Sequence, residues 1–189
     1  KRLTLTIALI LISIVGFGQG ESSLDTGDTA WMLISTALVM IMTPAGLALF
    51  YGGLTQNKSV LNTIGMSYVA FCTGIITWIA VGYSLAFTEG NAFIGDLSLA
   101  FLNGVLPTDM AGSIPKLLDI IFQATFAAIA VAIVSGSVIE RMRFSIWTLF
   151  SVLWVALVYA PICHWVWGTE GGILGGDLDF AGGTVIHIN

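Results

Sequence analysis

Long apolar stretches without a charged residue recur along this 189-residue chain, with short polar segments between them. Four of these stretches cover residues 29–57, 59–88, 120–139 and 144–169. Each reaches the length of a transmembrane helix, which needs about 20 apolar residues. A fifth stretch covers residues 180–189, about half of that length. The pattern therefore predicts an all-α, polytopic membrane protein with about five membrane helices, the fifth truncated.

The first twenty residues have a different pattern. Lys1 and Arg2 precede an apolar run over residues 3–18, and a polar segment follows over residues 19–28. A basic start and a short apolar run are typical of a secretory signal peptide, so we predict one over residues 1–20. The alternative is a retained first helix, although the run is short for a membrane span.

The charged residues between the apolar stretches predict an orientation. Lys58 follows the first stretch, and Arg141 and Arg143 precede the fourth. The other two connections are mostly acidic, with Glu89, Asp96, Asp109, Glu170, Asp177 and Asp179. Basic loops stay in the cytoplasm, so the mature N-terminus is predicted to lie outside. Glycine and proline in residues 89–116 indicate a loop, with room for a short interfacial helix.

Composition supports the membrane assignment and excludes several classes of function. Hydrophobic residues make up 57% of the chain and charged residues 9%, and a small soluble domain could not bury so much apolar surface. We find no basic patch for nucleic acid, no phosphate loop and no nucleophile–base pair. Cys72 and Cys163 lack the spacing of a metal site or a disulfide framework. We therefore expect neither an enzyme nor a cofactor.

Small residues recur every four positions in the third apolar stretch, at Ala124, Ala128, Ala132 and Gly136. Such a stripe lets two membrane helices approach closely. It predicts packing and carries no chemistry.

A histidine in the fifth apolar stretch is the first candidate for chemistry. Asp179 can cap the backbone N–H groups near Ala181 and Gly182. His187 lies eight residues further along, or about 12 Å into a helix that starts at Asp179. That depth is close to the middle of the bilayer, where an imidazole needs a partner or a cavity. It either lines a pathway or bonds to a neighbouring helix.

One face of the third stretch carries Asp119, Phe122 and Phe126 at helical spacing. In the predicted orientation the carboxylate lies at the outer mouth and the two phenyl rings lie below it. The carboxylate would attract a small cation, and the two phenyl rings would then form a narrow apolar constriction on its path. The alternative is that the rings only pack and Asp119 only favours the helix N-terminus.

Aromatic residues also end the fourth stretch, at His164, Trp165 and Trp167. Tryptophans at this depth form the interfacial belt of many membrane proteins. The face of an exposed indole can also hold a small cation. His164 is expected to make a structural hydrogen bond.

Several of these segments together resemble the ammonium transporter family, which comprises the Amt, MEP and Rh proteins. The first-helix motif of that family is similar to residues 44–54, PAGLALFYGGL, and its third-helix motif to residues 122–127, FQATFA. The inner turn is similar to residues 140–144, ERMRF, and the start of the fifth helix to residues 179–189, DFAGGTVIHIN. The motifs agree in order and spacing from Trp31 onward.

The resemblance implies roles at an outer site. Trp167 would recruit ammonium through a cation–π contact, and Phe122 and Phe126 would be the stacked rings of a gate. Asp179 would be the carboxylate that holds the outer site together.

The resemblance also implies a hydrophobic pore. His187 would be the first of a twin-histidine pair, and Phe50 and Tyr51 would line the lower part. An ion bound outside would lose its proton and neutral ammonia would pass, although the net transported species stays open.

The family plan implies an inverted repeat of five and five helices, a homotrimer in the full-length state, and binding by cytoplasmic regulators of the PII class. On this plan residues 29–189 form the first half of an ammonium-transporter domain, incomplete at its C-terminus. The second pore histidine and the outer-site serine would follow Asn189. The alternatives are an ammonium-sensing membrane domain of a larger signalling protein, another small-solute channel, or a structural membrane protein.

Overall fold

Four long helices form the body of the chain in a computed structural model that describes residues 23–168, 173–174 and 179–189. Within that part of the chain, four helices are long and apolar enough to cross a membrane. They are α1 Thr26–Leu54, α2 Asn57–Phe87, α3 Lys116–Val138 and α4 Phe144–Trp167. The bounds confirm the four predicted spans. The signal peptide predicted over residues 1–20 lies outside the described residues.

Three of these four helices contain a π-helical segment. In α1 the segment Met42–Leu47 includes Pro44, and in α4 the segment Val155–Tyr159 comes shortly before Pro161. Proline has no N–H and its ring crowds the carbonyl four residues earlier, so a wider turn relieves the contact. In α2 the segment is Trp78–Gly82.

The connection between α2 and α3 contains two small antiparallel hairpins that the sequence did not predict. β1 Gly90–Asn91 pairs with β2 Ile94–Gly95, and β3 Met110–Ala111 pairs with β4 Ile114–Pro115. The expected interfacial helix is reduced to a 3₁₀ turn at Ala100–Leu102. We call this end of the bundle, where α1 and α3 begin and α2 and α4 end, the hairpin end.

Helices α2 and α3 approach each other closely at a glycine of α2. A Cβ placed on Gly74 of α2 would lie 2.7 Å from Cα of Ala128 in α3. Ala124, Ala128 and Ala132 are all buried, which confirms that the small-residue stripe packs against neighbours. As a result α3 is the most covered of the four helices, and it forms the centre of the bundle.

Helix α4 is joined to α2 by polar side chains within an apolar interface. The Trp147 indole N–H donates to the carbonyl of Met66 at 2.8 Å, and the Thr73 and Ser151 hydroxyls are 2.7 Å apart. A buried polar group away from water is costly unless it is paired, so these bonds fix how the two helices meet. Cys163 is buried without a disulfide partner.

The fifth segment is a π-helical stretch, Gly183–Ile188, that begins four residues later than the start predicted at Asp179. Gly182 precedes it with φ +79° and ψ +27°, a left-handed conformation that glycine adopts without strain. His187 is therefore only four residues into this segment, or about 6 Å at the rise of an α-helix.

We expect Gly74→Ala to destabilise the bundle by about 1–3 kcal/mol, because the new methyl group would overlap the α3 backbone at Ala128. The thermal unfolding midpoint in detergent measures the loss. Gly53→Ala is the matched control, since no atom lies within 4 Å of a Cβ at that helical glycine and alanine is the better helix former. Equal midpoints for the two variants would contradict this packing.

Candidate functional site

A cavity of about 550 Å³ lies at the hairpin end of the bundle. It is bounded by the end of α2, the first turns of α3, the end of α4 and the segment before Gly183. The lining residues are Phe87, Phe122, Gln123, Phe126, Trp167, Asp179, Phe180, Ala181 and Ile186. Four residues that the sequence singled out, namely Trp167, Phe122, Phe126 and Asp179, thus meet at one cavity.

The two phenyl rings of α3 lie edge to face. The centroids of Phe122 and Phe126 are 4.8 Å apart and the ring planes meet at 86°. This arrangement places the positive edge of one ring against the negative face of the other, which is a favourable geometry for an aromatic pair. The resemblance implies stacked rings, and in the structure the two rings are adjacent with nearly perpendicular planes.

Trp167 is held by a hydrogen bond from its ring N–H to the backbone carbonyl of Asp179, at 2.6 Å. The indole therefore cannot turn freely, and its N–H is already used. A Cβ on Gly182 would lie 3.3 Å from Cη2 of the indole, so the glycine also leaves room for the ring. The π face of Trp167 is the part of this side chain that remains for a ligand.

The Asp179 carboxylate is bound by backbone N–H groups of the segment that follows it. Its Oδ2 accepts from Thr184 and from Val185, both at 2.9 Å. The N–H groups of Gly182 and Gly183 also lie close enough to stabilise the carboxylate, so the bonded groups extend from the predicted position at Gly182 to Val185. Partial burial acts to raise the pKa of Asp179, and the backbone N–H bonds outweigh it, so the pKa lies below its ordinary value.

His187 lies apart from the cavity. Its side chain is exposed on the π-helical segment, while its neighbours Val185 and Ile186 are buried. The structure therefore does not bring this imidazole together with Phe122 and Phe126. The imidazole is therefore not fully covered by the described residues.

Phe50 and Tyr51 lie at the other half of the bundle. Phe50 is 61% exposed and borders a second cavity of about 310 Å³, which is lined by Met42, Gly46, Leu47, Ile129 and Ile133. The Tyr51 ring lies 5.6 Å from the Phe50 ring, centroid to centroid, and its hydroxyl donates to the carbonyl of Ile133 at 3.0 Å. Both residues therefore lie near Ile133 of α3.

His164 makes the structural contacts that were expected of it. The ring is buried, with Nδ1 2.9 Å from the Ala86 carbonyl and Nε2 2.9 Å from the Asn91 carbonyl. It joins α4 to the end of α2 and to the first hairpin. Because Trp167 follows three residues later, this contact also fixes the end of α4 that carries the indole.

Gln123 is a cavity residue to which the sequence assigned no role. It lines the cavity between Phe122 and Phe126, and its Oε1 is buried without a hydrogen-bond partner among the described residues. A usable signal was present, because a carboxamide inside an apolar membrane segment is costly without a partner or a cavity. Gln123 was overlooked because only the two phenylalanines of the same motif, Phe122 and Phe126, were considered.

Comparison with known proteins gives a consistent result. The model of the Ammonium Transporter Family matches residues 30–189. The ammonium transporter of Aquifex aeolicus is 51% identical over 188 residues, which cover 97% of this chain and 44% of that protein. The ammonium transporter of Bacillus subtilis is 50% identical over 170 residues, which cover 88% of this chain and 41% of that protein.

Among solved structures, Mep2 from Saccharomyces cerevisiae is similar with a TM-score of 0.76 and 38% identity. The match covers 87% of this chain and 39% of that structure. The chain thus spans about two fifths of the length of these proteins, measured from the Mep2 coverage and from the two relatives.

We expect Asp179→Asn to lower stability at neutral pH, because the amide loses the charge that the backbone N–H groups stabilise. The pKa of Asp179 is lower in the folded chain than in the unfolded chain, so its contribution is complete above about pH 4 and is lost as the pH falls through the folded value. Unfolding midpoints of both proteins measured from neutral pH downward should therefore converge in acid. A difference that stays constant with pH would contradict the bonding of this carboxylate.

Proposed function

Because this chain belongs to the ammonium transporter family, we propose that its complete protein moves ammonium or ammonia across a membrane. The relatives named ammonium transporters agree with the expectation that the chain is not an enzyme. The observation that carries the proposal is the convergence of Trp167, Phe122 and Phe126 on one cavity at the hairpin end. In the predicted orientation this end lies outside the cell, so the cavity would receive the ion.

The indole of Trp167 is the proposed recruiting surface. Its N–H is held by the Asp179 carbonyl, which orients the ring and leaves its π face for a cation. A cation–π contact is worth about 0.5–2 kcal/mol, depending on how much water is removed. The nearby Asp179 carboxylate stays ionised because its pKa is lowered, and its negative charge favours a cation in the cavity.

The two phenyl rings of α3 are the proposed gate. They close the cavity with apolar edges and faces, and such a surface offers a bare ion little to replace its water. Ammonium is expected to pass its proton to a relay that includes His187 before it crosses, and neutral ammonia to continue. This scheme makes Phe122 and Phe126 a selective barrier.

His187 is the proposed pore residue beyond the gate. Its exposed imidazole can accept a hydrogen bond or carry a proton near neutral pH, and we place its partner histidine after residue 189. Phe50 and Tyr51 are proposed for the lower pore, where Phe50 borders the second cavity. Trimer formation, binding of a PII-class regulator and removal of residues 1–20 are parts of the same proposal.

Replacement of Trp167 with leucine tests the recruiting surface. In the complete open reading frame that contains this chain, Trp167→Leu should raise the KM for ammonium roughly two- to thirtyfold, because the cation–π contact is lost. Ammonium-dependent currents in reconstituted membranes give KM and the maximal rate. Trp165→Phe is the control, since that indole bonds to the Phe93 carbonyl at an exposed position. A wild-type protein without ammonium-dependent transport would refute the proposed function.

Replacement of His187 with alanine tests the pore. We expect His187→Ala to lower the maximal rate or to admit potassium, because the proposed pathway loses its proton acceptor. The currents recorded with ammonium and with potassium chloride distinguish these results. Unchanged ammonium currents together with unchanged exclusion of potassium would remove His187 from the mechanism.

A further inference from the structure

The polar groups around the cavity differ in whether they are already bonded. The indole N–H of Trp167 donates to the Asp179 carbonyl, and Oδ2 of Asp179 accepts from two backbone N–H groups. The indole N–H and Oδ2 are thus occupied, whereas Oδ1 of Asp179 keeps its capacity to accept a hydrogen bond on its side of the cavity. An ion in the cavity would be held more firmly if α3 supplied a second acceptor.

Gln123 provides such a partner within the described part of the cavity. Its side chain lines the cavity, and its Oε1 is buried with no donor within hydrogen-bonding distance among the described residues. A buried carbonyl oxygen without a partner costs free energy, which a donor solute would recover. Because Oε1 has almost no exposed surface, it can bind a solute only after the carboxamide turns its oxygen toward the cavity, where it would then accept a hydrogen bond.

The chemistry of the carboxamide matches that of ammonium. Ammonium has four N–H donors and no acceptor, so only the oxygen of a glutamine can bind it. No hydrogen bond from the described residues fixes the carboxamide, and a half-turn about its last bond presents the oxygen to the cavity. The neutral amide attracts the ion less strongly than a carboxylate would, which suits a site that must also release it.

Resting on the proposed function, we propose that Oε1 of Gln123 accepts a hydrogen bond from the N–H of ammonium while the indole of Trp167 contacts the ion through its face. Gln123 lies between Phe122 and Phe126 along the chain, and in this proposal it contacts the ion itself. The cavity would select small cations that carry N–H donors, which are ammonium and primary alkylammonium ions.

The test compares substitutions that keep or remove the acceptor in the complete open reading frame. Gln123→Met keeps a similar length without a strong acceptor, and Gln123→Glu keeps oxygen acceptors. We expect Gln123→Met to raise the KM for ammonium and methylammonium about tenfold or more, since a hydrogen bond to a charged group is lost. The maximal rate of Gln123→Met should change little, and Gln123→Glu should keep the KM at or below the wild-type value, because its carboxylate is an acceptor that also attracts the cation.

Controls separate this inference from folding and from the proposed function. Ile121→Leu changes an exposed neighbour on α3, and Gln123→Leu is a second apolar variant should the methionine form unfold. An unchanged KM in the apolar variants, with Trp167→Leu still impaired, would overturn the role of Gln123 alone. A loss of maximal rate without a change in KM would also overturn it, because that result indicates a structural residue.

Discussion

The contact between Gly74 and Ala128 determines how closely α2 and α3 approach each other, and the geometry at the hairpin end depends on it. In a membrane, helices are held together mainly by packing and by a few polar bonds. A glycine opposite an alanine lets the two backbones come close. Phe122 and Gln123 lie on α3 between this contact and the hairpin end, and Phe87 lies at the end of α2. The spacing of the two helices therefore sets the width of the cavity that these residues line.

The Asp179 residue connects the cavity to the segment that carries His187. Its carbonyl holds the Trp167 indole, and its carboxylate holds the N–H groups of Thr184 and Val185. One residue thus positions an aromatic surface on α4 and the start of the fifth segment. Among the described residues its charge is compensated by backbone N–H groups and by no basic side chain, so the negative field remains available to a cation.

Much of the architecture was predictable because a bilayer allows few solutions. The four spans followed from length and the absence of charge, and the similarity to Mep2 confirms the first part of an ammonium-transporter fold. The hairpins of residues 90–95 and 110–115 were missed, because two-residue strands leave no periodic pattern. The π-helical segments were also missed, since Pro44 and Pro161 indicate a disturbance but not its form.

The candidate site was predictable only in part. Trp167, Phe122 and Phe126 came from aromatic spacing together with the family motifs, and the structure places them at one cavity. The edge-to-face angle of the rings and the two carbonyl contacts of His164 depend on tertiary packing that spacing does not contain. Gln123 was visible in the sequence, but whether its oxygen is paired can be read only from coordinates.

The free-energy cost of dehydrating an ion is larger than the gain from a cation–π contact, and this difference separates the proposed roles of the cavity and the gate. Removing an ion from water into an apolar region costs several kcal/mol even after the protein relaxes, whereas a cation–π contact returns about 0.5–2 kcal/mol. The cavity can therefore hold ammonium only while the ion keeps part of its water or gains an acceptor such as Gln123. In the proposed scheme the ion gives up its charge at the rings, and the uncharged solute then needs only a weak hydrogen-bonding partner deeper in the membrane, which is the role proposed for His187.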